Sequence, residues 1–309
     1  MFKRTSAAFA VTAASGLVLA GCASADDEAT EEPTDETTAA GETSDAPEAG
    51  GDLTLAVFNG WDESLATSLL WEAVLEDEGY NVELEYADPA VVFQGVADGD
   101  YDIVTDVWLP LTHEAYIEEF GDDMEELGAW FDSAALTIAV NSDAPIDSLA
   151  ELAENADEFD NRIVGIEPGA GLTSTTQDSA IPTYGLEGME FITSSTPAML
   201  QELETALEND ENIVVTLWEP HWAYGAYDIK NLEDPEGAMG EAEEIVTYGR
   251  TGITEDFPQV AEWFSNFTMD SEALYDLENE LNAADEGDYE QVVADWIAAN
   301  QEWVDSLTA

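Results

Sequence analysis

The sequence predicts an α/β fold built from two lobes, each a mostly parallel sheet flanked by helices. Short apolar runs and longer amphipathic segments alternate from residue 52 to residue 309, and this alternation is typical of parallel sheets with crossover helices. The segment is long enough for two lobes of ordinary size. We expect a ligand site in the cleft between them, because small molecules often bind between domains.

The first lobe is predicted from residues 52–140 together with residues 246–309. Apolar residues alternate in its strands and recur on one face of its helices. Its predicted elements are a strand at 53–58, a helix at 63–78 that ends at Gly79, a strand at 81–87, a short helix near 92–97, and strands at 102–107 and 136–140.

The second lobe is predicted from residues 141–245, with hinge strands near 136–141 and 227–247. Pro197 suits the start of a helix, because the first helical position needs no hydrogen bond from its nitrogen. After Pro235 we expect the chain to be mostly helical. The predicted elements of the second lobe are a helix at 146–152, a strand at 163–166, a glycine loop at 169–171, a strand at 191–193, a helix from Thr196-Pro197, and a strand at 213–217.

The start of the chain has the pattern of a sorting signal. Lys3 and Arg4 precede an apolar stretch at 7–20, which is too short for a permanent membrane helix. The sequence Leu-Ala-Gly-Cys follows and ends at Cys22, the only cysteine, so a disulfide within the chain is excluded. This sequence resembles the bacterial lipobox, which predicts a signal peptide at 1–21 and a lipid on Cys22. An ordinary secretory peptide with a chance cysteine is the alternative.

Residues 22–51 are predicted to form a disordered tether between the lipid and the folded part. The stretch from residue 23 to residue 51 holds ten acidic residues and neither a basic nor an aromatic residue. Such a composition cannot bury enough apolar surface to offset its ordering entropy. We find no later stretch that is long and apolar enough to span a bilayer.

The charge of the chain limits its partners. It has 71 acidic and 5 basic residues and a formal net charge of −66. This composition resembles that of halophilic proteins, because molar salt screens the self-repulsion. No basic patch can form, which argues against nucleic acid as a partner, and the like charge favours a monomer. The field disfavours anionic ligands but repels a zwitterion little.

Three tryptophans follow short apolar runs, at the strand ends where α/β proteins place ligand groups. Trp61, Trp108 and Trp218 could form a box around a cation that has no hydrogen-bond donors. Core packing is the alternative for each of them. The neighbouring Asp62 and Glu219 could attract the cation over a longer range, or could cap helices or face solvent.

Two further features could hold an anion. Gly169-Ala170-Gly171 follows a strand and precedes a helix, and backbone amides at a helix start bind carboxylates. His113 lies five residues after Trp108 and could donate a hydrogen bond to the same group. A tight turn and a surface histidine are the alternatives. Together with the box, these features predict a zwitterion with a quaternary ammonium head and a carboxylate tail.

The sequence offers little support for an enzyme, a cofactor or a metal site. Two histidines and one cysteine leave no zinc-type cluster, and we find no Gly-x-Ser-x-Gly motif. With so many acids, some carboxylate pair is inevitable, so an extracellular glycoside hydrolase stays open as an alternative.

Four motifs together resemble those of the substrate-binding proteins of glycine betaine ABC transporters. They are Phe58-Asn59-Gly60-Trp61-Asp62, Trp108-Leu109-Pro110-Leu111-Thr112-His113, Pro168-Gly169-Ala170-Gly171 and Trp218-Glu219-Pro220-His221-Trp222. The resemblance covers nearly all of residues 52–309. It implies a two-lobed periplasmic-binding-protein fold that closes on its ligand, in a family whose members occur with the halves of the chain exchanged.

The same resemblance implies a site and a function. A tryptophan prism around the trimethylammonium group maps onto Trp61, Trp108 and Trp218, and the carboxylate contacts map onto the His113 side chain and the backbone amides of Gly171 and Leu172. The expected function is a lipid-anchored, extracytoplasmic receptor that captures glycine betaine and passes it to an ABC permease. A receptor for proline betaine, carnitine or choline, or a surface receptor that signals, is also compatible with the sequence.

Overall fold

The computed structural model describes residues 50–309, which form an α/β fold with a nine-stranded mixed sheet. The strand order is β2-β1-β3-β9-β4-β7-β5-β6, and β8 pairs with β4. The strands are β1 (Asp52–Phe58), β2 (Asn81–Ala87), β3 (Ile103–Leu109), β4 (Met124–Asn141), β5 (Arg162–Val164), β6 (Glu190–Ile192), β7 (Val214–Glu219), β8 (Ile229–Asn231) and β9 (Glu243–Arg250). The predicted signal peptide and Cys22 lie outside the described residues.

Helices connect and flank the strands. A π-helical turn joins α5 to α6, so that residues 171–184 form one continuous helical segment. The helices are α1 (Asp62–Asp77), α2 (Pro89–Asp98), α3 (Glu114–Phe120), α4 (Leu149–Leu152), α5 (Gly171–Thr175), α6 (Ile181–Tyr184), α7 (Thr196–Glu208), α8 (Ala223–Ala226), α9 (Ile253–Asp256), α10 (Pro258–Asn266), α11 (Ser271–Asn282), α12 (Tyr289–Ala299) and α13 (Gln301–Leu307). None of the helices formed by residues 50–309 combines the length and apolarity that crossing a bilayer requires.

The 18-residue strand β4 lies in the middle of the sheet and links its two ends. Its part from Met124 to Ala134 pairs with β9, and its part from Ala135 to Val140 pairs with β7. We call the end with β2, β1, β3 and β9 the first lobe, and the end with β7, β5 and β6 the second lobe. The residue limits predicted for the lobes remain a prediction.

The α/β prediction is confirmed, and the pairing shows where the sheet is parallel. β1 is parallel to β2 and β3, and β5 is parallel to β6 and β7. The pairs formed by β4 and β9 are antiparallel. The sheet is therefore mixed, because two long strands join the parallel ends.

Helices α3 and α8 have no counterpart in the sequence prediction, and three further elements differ from it. The first part of β4 was not predicted, because register shifts against β9 interrupt its alternation of side chains. β9 lies in the region expected to be mostly helical after Pro235, and it overlaps the hinge strand predicted around 227–247. Helix α4 begins at Leu149 rather than at residue 146, because the Ser148 hydroxyl caps it by accepting from the Ala150 N–H, 3.3 Å away.

Tryptophans that the sequence did not place at the site pack in the core. Trp71, Trp130, Trp263 and Trp296 are all buried. Trp303 is half-buried, and its ring lies 5.8 Å from that of Trp296. These tryptophans do not line the pocket that Trp61, Trp108 and Trp218 border.

Candidate functional site

A pocket lies where the two lobes meet. It brings together all six residues predicted to bind ligand, and residues of both lobes contribute to its wall. The lining consists of Trp61, Glu63, Trp108, Thr112, His113, Leu136, Ile166, Ala170, Gly171, Leu172 and Trp218.

The three predicted cage tryptophans come from three different strand ends. Trp61 is the N-cap of α1, directly after β1 and the turn that follows it. Trp108 and Trp218 are the penultimate residues of β3 and β7, so they lie in the strands rather than beyond them. Only 6%, 2% and 3% of these residues is exposed, in chain order. Three almost fully buried rings that border a cavity can enclose a small apolar cation.

Each of these indoles donates its N–H to a carboxylate. Trp108 Nε1 lies 2.7 Å from Asp106 Oδ1, Trp218 Nε1 lies 3.0 Å from Glu63 Oε2, and Trp61 Nε1 lies 3.5 Å from Glu167 Oε2. The bonds are made at the ring edges, so they satisfy the buried donors without covering the ring faces.

His113 is arranged as a neutral hydrogen-bond donor. Burial lowers the pKa of His113 to about 3. Its Nδ1 accepts from the Trp108 backbone N–H at 2.9 Å, which assigns the proton to Nε2. That Nε2 has no hydrogen-bond partner within the described part of the chain. The ring stacks on Trp61 with 5.6 Å between centroids and 8° between planes.

Gly171 and Leu172 occupy the first turn of α5, where backbone N–H groups have no partner inside the helix. Gly171 is also packed tightly against the first lobe, since a Cβ atom there would lie 1.9 Å from the Thr112 carbonyl oxygen. The loop that carries Thr112 is held by Glu243 Oε2, which accepts from the backbone N–H groups of Leu111 and Thr112 at 2.7 and 2.9 Å.

Glu63 was not singled out from the sequence, yet it is the only formally charged side chain among the described residues that line the pocket. Asp62 and Glu219, the acids next to the cage tryptophans in the sequence, are not part of the pocket lining. Asp62 Oδ2 is 3.4 Å from His221 Nε2, and Glu219 Oε1 accepts from Asn231 Nδ2 at 3.2 Å. The available signal was the position of Glu63 in the first turn of a helix that begins beside Trp61.

Acidic side chains are buried close to the tryptophans. Burial raises the pKa of Asp62 to about 7 and that of Glu63 to about 8. Burial, reinforced by repulsion from Glu63, also raises the pKa values of Asp106 and Glu278 well above their ordinary range. Both carboxylate oxygens of Glu278 lack a hydrogen-bond partner within residues 50–309. Burial therefore favours the protonated form of these four carboxyl groups at neutral pH. We call Asp62, Glu63, Asp106 and Glu278 the buried acid cluster.

The arrangement can hold a ligand with a cationic and an anionic end. Three ring faces suit an alkylated ammonium group, while the His113 donor and the first-turn amides of α5 suit a carboxylate. Residues 50–309 contain no cluster of side chains that could hold a metal ion.

Two solved structures share this fold. One is the lactococcal OpuAC in its closed-liganded conformation with glycine betaine, with a TM-score of 0.78, 28% identity, and coverage of 84% of this chain and 100% of that chain. The other is the glycine/betaine/L-proline-binding protein ProX from Borrelia burgdorferi, with a TM-score of 0.77, 30% identity, and coverage of 82% and 95%. The two-lobed fold thus defines a binding protein of the periplasmic type.

The chain belongs to the family of substrate-binding domains of ABC-type glycine betaine transport systems, whose model matches residues 51–299. A curated relative is the glycine betaine/carnitine transport binding protein GbuC of Listeria monocytogenes. It is 36% identical over 170 residues, which cover 53% of this chain. The match spans about half of that relative, 55% of its length.

Proposed function

We propose that this chain is the extracytoplasmic receptor of an ABC importer and that it captures glycine betaine for osmoprotective uptake. The observation that carries the proposal is a pocket that combines three buried indoles with a histidine donor that has no partner within residues 50–309 and with the first-turn amides of α5. The indoles of Trp61, Trp108 and Trp218 surround the trimethylammonium group. His113 Nε2 and the N–H groups of Gly171 and Leu172 bind the carboxylate.

The ligand follows from the chemistry of the pocket. A quaternary ammonium group has no N–H to donate, so aromatic faces recognise it better than carbonyl groups do. A neutral histidine and backbone amides add no positive charge. Neutral donors are sufficient here, because the carboxylate of a zwitterion is already balanced by the cation of the same molecule. The family membership and the names of the similar proteins support the same ligand class.

A choline receptor is the second candidate, and the position of Glu63 favours it. A cation bound beside Glu63 would lower the pKa of its carboxyl group from about 8 and favour the ionised form, which can balance a cation that brings no carboxylate of its own. The two candidates differ in their use of His113, because choline has no group that needs its donor.

Calorimetry with a ligand panel tests both candidates. Glycine betaine, proline betaine, carnitine and choline are titrated in molar salt, and tryptophan fluorescence reports occupancy of the cage. We expect glycine betaine to bind and His113→Ala to weaken it. Tight choline binding that is insensitive to His113→Ala would favour the choline receptor, and no heat with any ligand at millimolar concentration would contradict both.

The cellular context belongs to the same proposal. We infer that residues 1–21 are a signal peptide, that Cys22 carries a lipid, and that residues 22–51 tether the binding domain near an ABC permease as a monomer. The acidic composition suits a halophilic source, since salt screens the repulsion. Membrane fractionation of Cys22→Ser tests the anchor: the variant is expected in the soluble fraction, and full retention in membranes would contradict a lipid on Cys22.

A further inference from the structure

The carboxylate partners of the three pocket indoles do not all come from the same lobe as the indole. Asp106 and Trp108 both lie on β3 of the first lobe. Trp218 of the second lobe instead donates to Glu63, which lies on α1 beside β1 of the first lobe. Trp61 of the first lobe donates to Glu167, which follows β5 of the second lobe.

We propose that Glu63 and Glu167 are positioning residues that fix two of the three cage walls only when the lobes meet. The pairs are reciprocal, since each lobe supplies one indole and one carboxylate. The bonds that orient Trp61 and Trp218 therefore also stabilise the closed state. This inference rests on the proposed function for the identity of the ligand, but not for the existence of the cross-lobe pairs.

Glu167 is held within its own lobe by the start of α7. Its Oε1 accepts from the Thr196 backbone N–H at 2.7 Å, and its Oε2 accepts from the Thr196 hydroxyl at 3.0 Å. The carboxylate is thus placed before Trp61 reaches it, and it gains a third donor on closure.

Glu63 is placed by the first turn of α1. Its backbone carbonyl accepts from the Thr67 hydroxyl at 2.7 Å, and only 1% of the residue is exposed. Such burial requires a partner for the carboxyl group, and the described residues provide the Trp218 N–H. Separation of the lobes would remove that partner and expose the carboxyl group to water.

The reciprocity has an energetic consequence. The Trp218–Glu63 bond is buried, and such a bond changes an equilibrium by about tenfold. The Trp61–Glu167 bond is 3.5 Å long and only partly buried, so its loss is expected to have a smaller effect. A bond present only in the closed state shifts the open–closed equilibrium by the corresponding factor. Loss of either carboxylate is therefore expected to weaken ligand binding through the closed population, in addition to any effect on the ring orientation.

A double-mutant cycle tests the pair formed by Glu63 and Trp218. Trp218→Phe keeps an aromatic face and removes the donor, while Glu63→Ala removes the acceptor. We expect each variant to weaken betaine affinity by about tenfold and the double variant to be little worse than either single one. Glu63→Gln keeps an acceptor oxygen and is expected to restore most of the affinity. Glu219→Gln, which alters an acid outside the pocket, is the matched control without effect.

A distance measurement without ligand separates this inference from the proposed function. Spin labels at Glu85 and Glu187, exposed residues of the two lobes, are introduced in a Cys22→Ser background. Wild-type protein is expected to show a closed population that falls about tenfold in Glu63→Ala and by a smaller factor in Glu167→Ala. The same labels on Glu202→Gln, which alters the Arg162–Glu202 pair within the second lobe and outside the pocket, are expected to leave that population unchanged.

The outcomes point in different directions. Suppose that betaine binds wild type, that the effects of Glu63→Ala and Trp218→Phe on affinity are additive, and that the closed population does not change in Glu63→Ala or Glu167→Ala. The positioning role is then wrong, and the proposed function stands. If no betaine binds while the closed population responds, the cross-lobe pairs stand and the ligand is wrong. If Glu63→Ala does not fold, the cycle of Glu167→Ala with Trp61→Phe decides.

Discussion

The Trp108 wall of the pocket and the walls formed by Trp61 and Trp218 are held in different ways. Trp108 is fixed by Asp106 two residues earlier on the same strand, and its backbone N–H donates to His113. The N–H groups of Trp61 and Trp218 depend on carboxylates of the opposite lobe. The comparison teaches that one wall and the histidine donor can exist in the open protein, whereas the complete cage requires closure.

The largest effect is expected from Gly171→Ala. This variant should keep Trp61 and Trp218 from reaching their carboxylate partners in the opposite lobe, and it should leave the Trp108 wall intact. The new Cβ atom would lie 1.9 Å from the Thr112 carbonyl oxygen, so the lobes could not meet as they do. We expect betaine affinity to fall by about a hundredfold or more in calorimetry.

Gly169→Ala in the same loop is the matched control, because its Cβ atom would make an ordinary 3.5 Å contact with the Tyr116 hydroxyl. Equal affinities of the two variants would show that closure does not bring Gly171 against Thr112.

The next effect concerns the wall held within one lobe. Trp108→Ala removes one ring face from the cation and is expected to weaken betaine binding by at least about tenfold. Trp303→Ala changes a half-buried tryptophan outside the pocket and should leave affinity unchanged. Fluorescence titration of both variants measures this, and normal binding by Trp108→Ala would remove it from the cage.

The buried acid cluster predicts a pH effect on stability. Burial raises the pKa of Glu63 from 4.5 to about 8 and that of Asp62 from 3.8 to about 7. The folded state therefore holds more protons than the unfolded chain, so the free energy of unfolding falls as pH rises across about 4 to 8. His113 and His221 act oppositely below pH 6.5, because burial lowers both pKa values to about 3.

Glu278→Gln tests this effect, since the amide imitates the protonated acid. The melting temperature of the variant is expected to fall less than that of wild type between pH 6.5 and pH 9. Glu262→Gln, on an exposed position of α10, serves as the control. Parallel melting curves for wild type and Glu278→Gln would mean that Glu278 does not hold a proton in the folded state.

The smallest effect is expected from Tyr116→Phe. The Tyr116 hydroxyl donates to the Gly169 carbonyl at 2.9 Å and forms a further bond between the lobes, at an exposed position. Because water can replace it, affinity should fall by only about two- to threefold. The control is Tyr86→Phe, which alters an exposed tyrosine of β2. If Tyr116→Phe lowered betaine affinity as much as Gly171→Ala, the small contribution assigned to this bond would be wrong.

Much of the pocket could be predicted from the sequence. Trp61, Trp108 and Trp218 could be predicted because each follows a short apolar run, and because the four motifs together, in this order, are specific where one alone is not. Glu63 did not stand out, because one carboxylate among 71 acids carries no signal until burial is known. The hydrogen-bond partner of each indole depends on tertiary contacts between the lobes. The local sequence around an indole contains no information about those contacts.

The parts of the fold that escaped prediction have a common physical cause. The first part of β4 pairs through repeated register shifts, and Gly128 adopts a φ of 151° there. Such irregular strands lose the alternation on which a sequence-based prediction depends. The regular strands β1 and β2 kept that alternation and were predicted within a residue or so of their observed ends.

The continuous strand β4 has a consequence for dissecting the molecule. It is the only strand hydrogen-bonded to both β9 and β7 in the described sheet. A fragment that carries the second lobe from residue 141 onward would lack the strand segment beside β7, which is Ala135–Val140. The first lobe in turn depends on Met124–Ala134 beside β9. Each lobe therefore needs its own part of one continuous strand, and a cut inside either part would remove hydrogen bonds from that lobe.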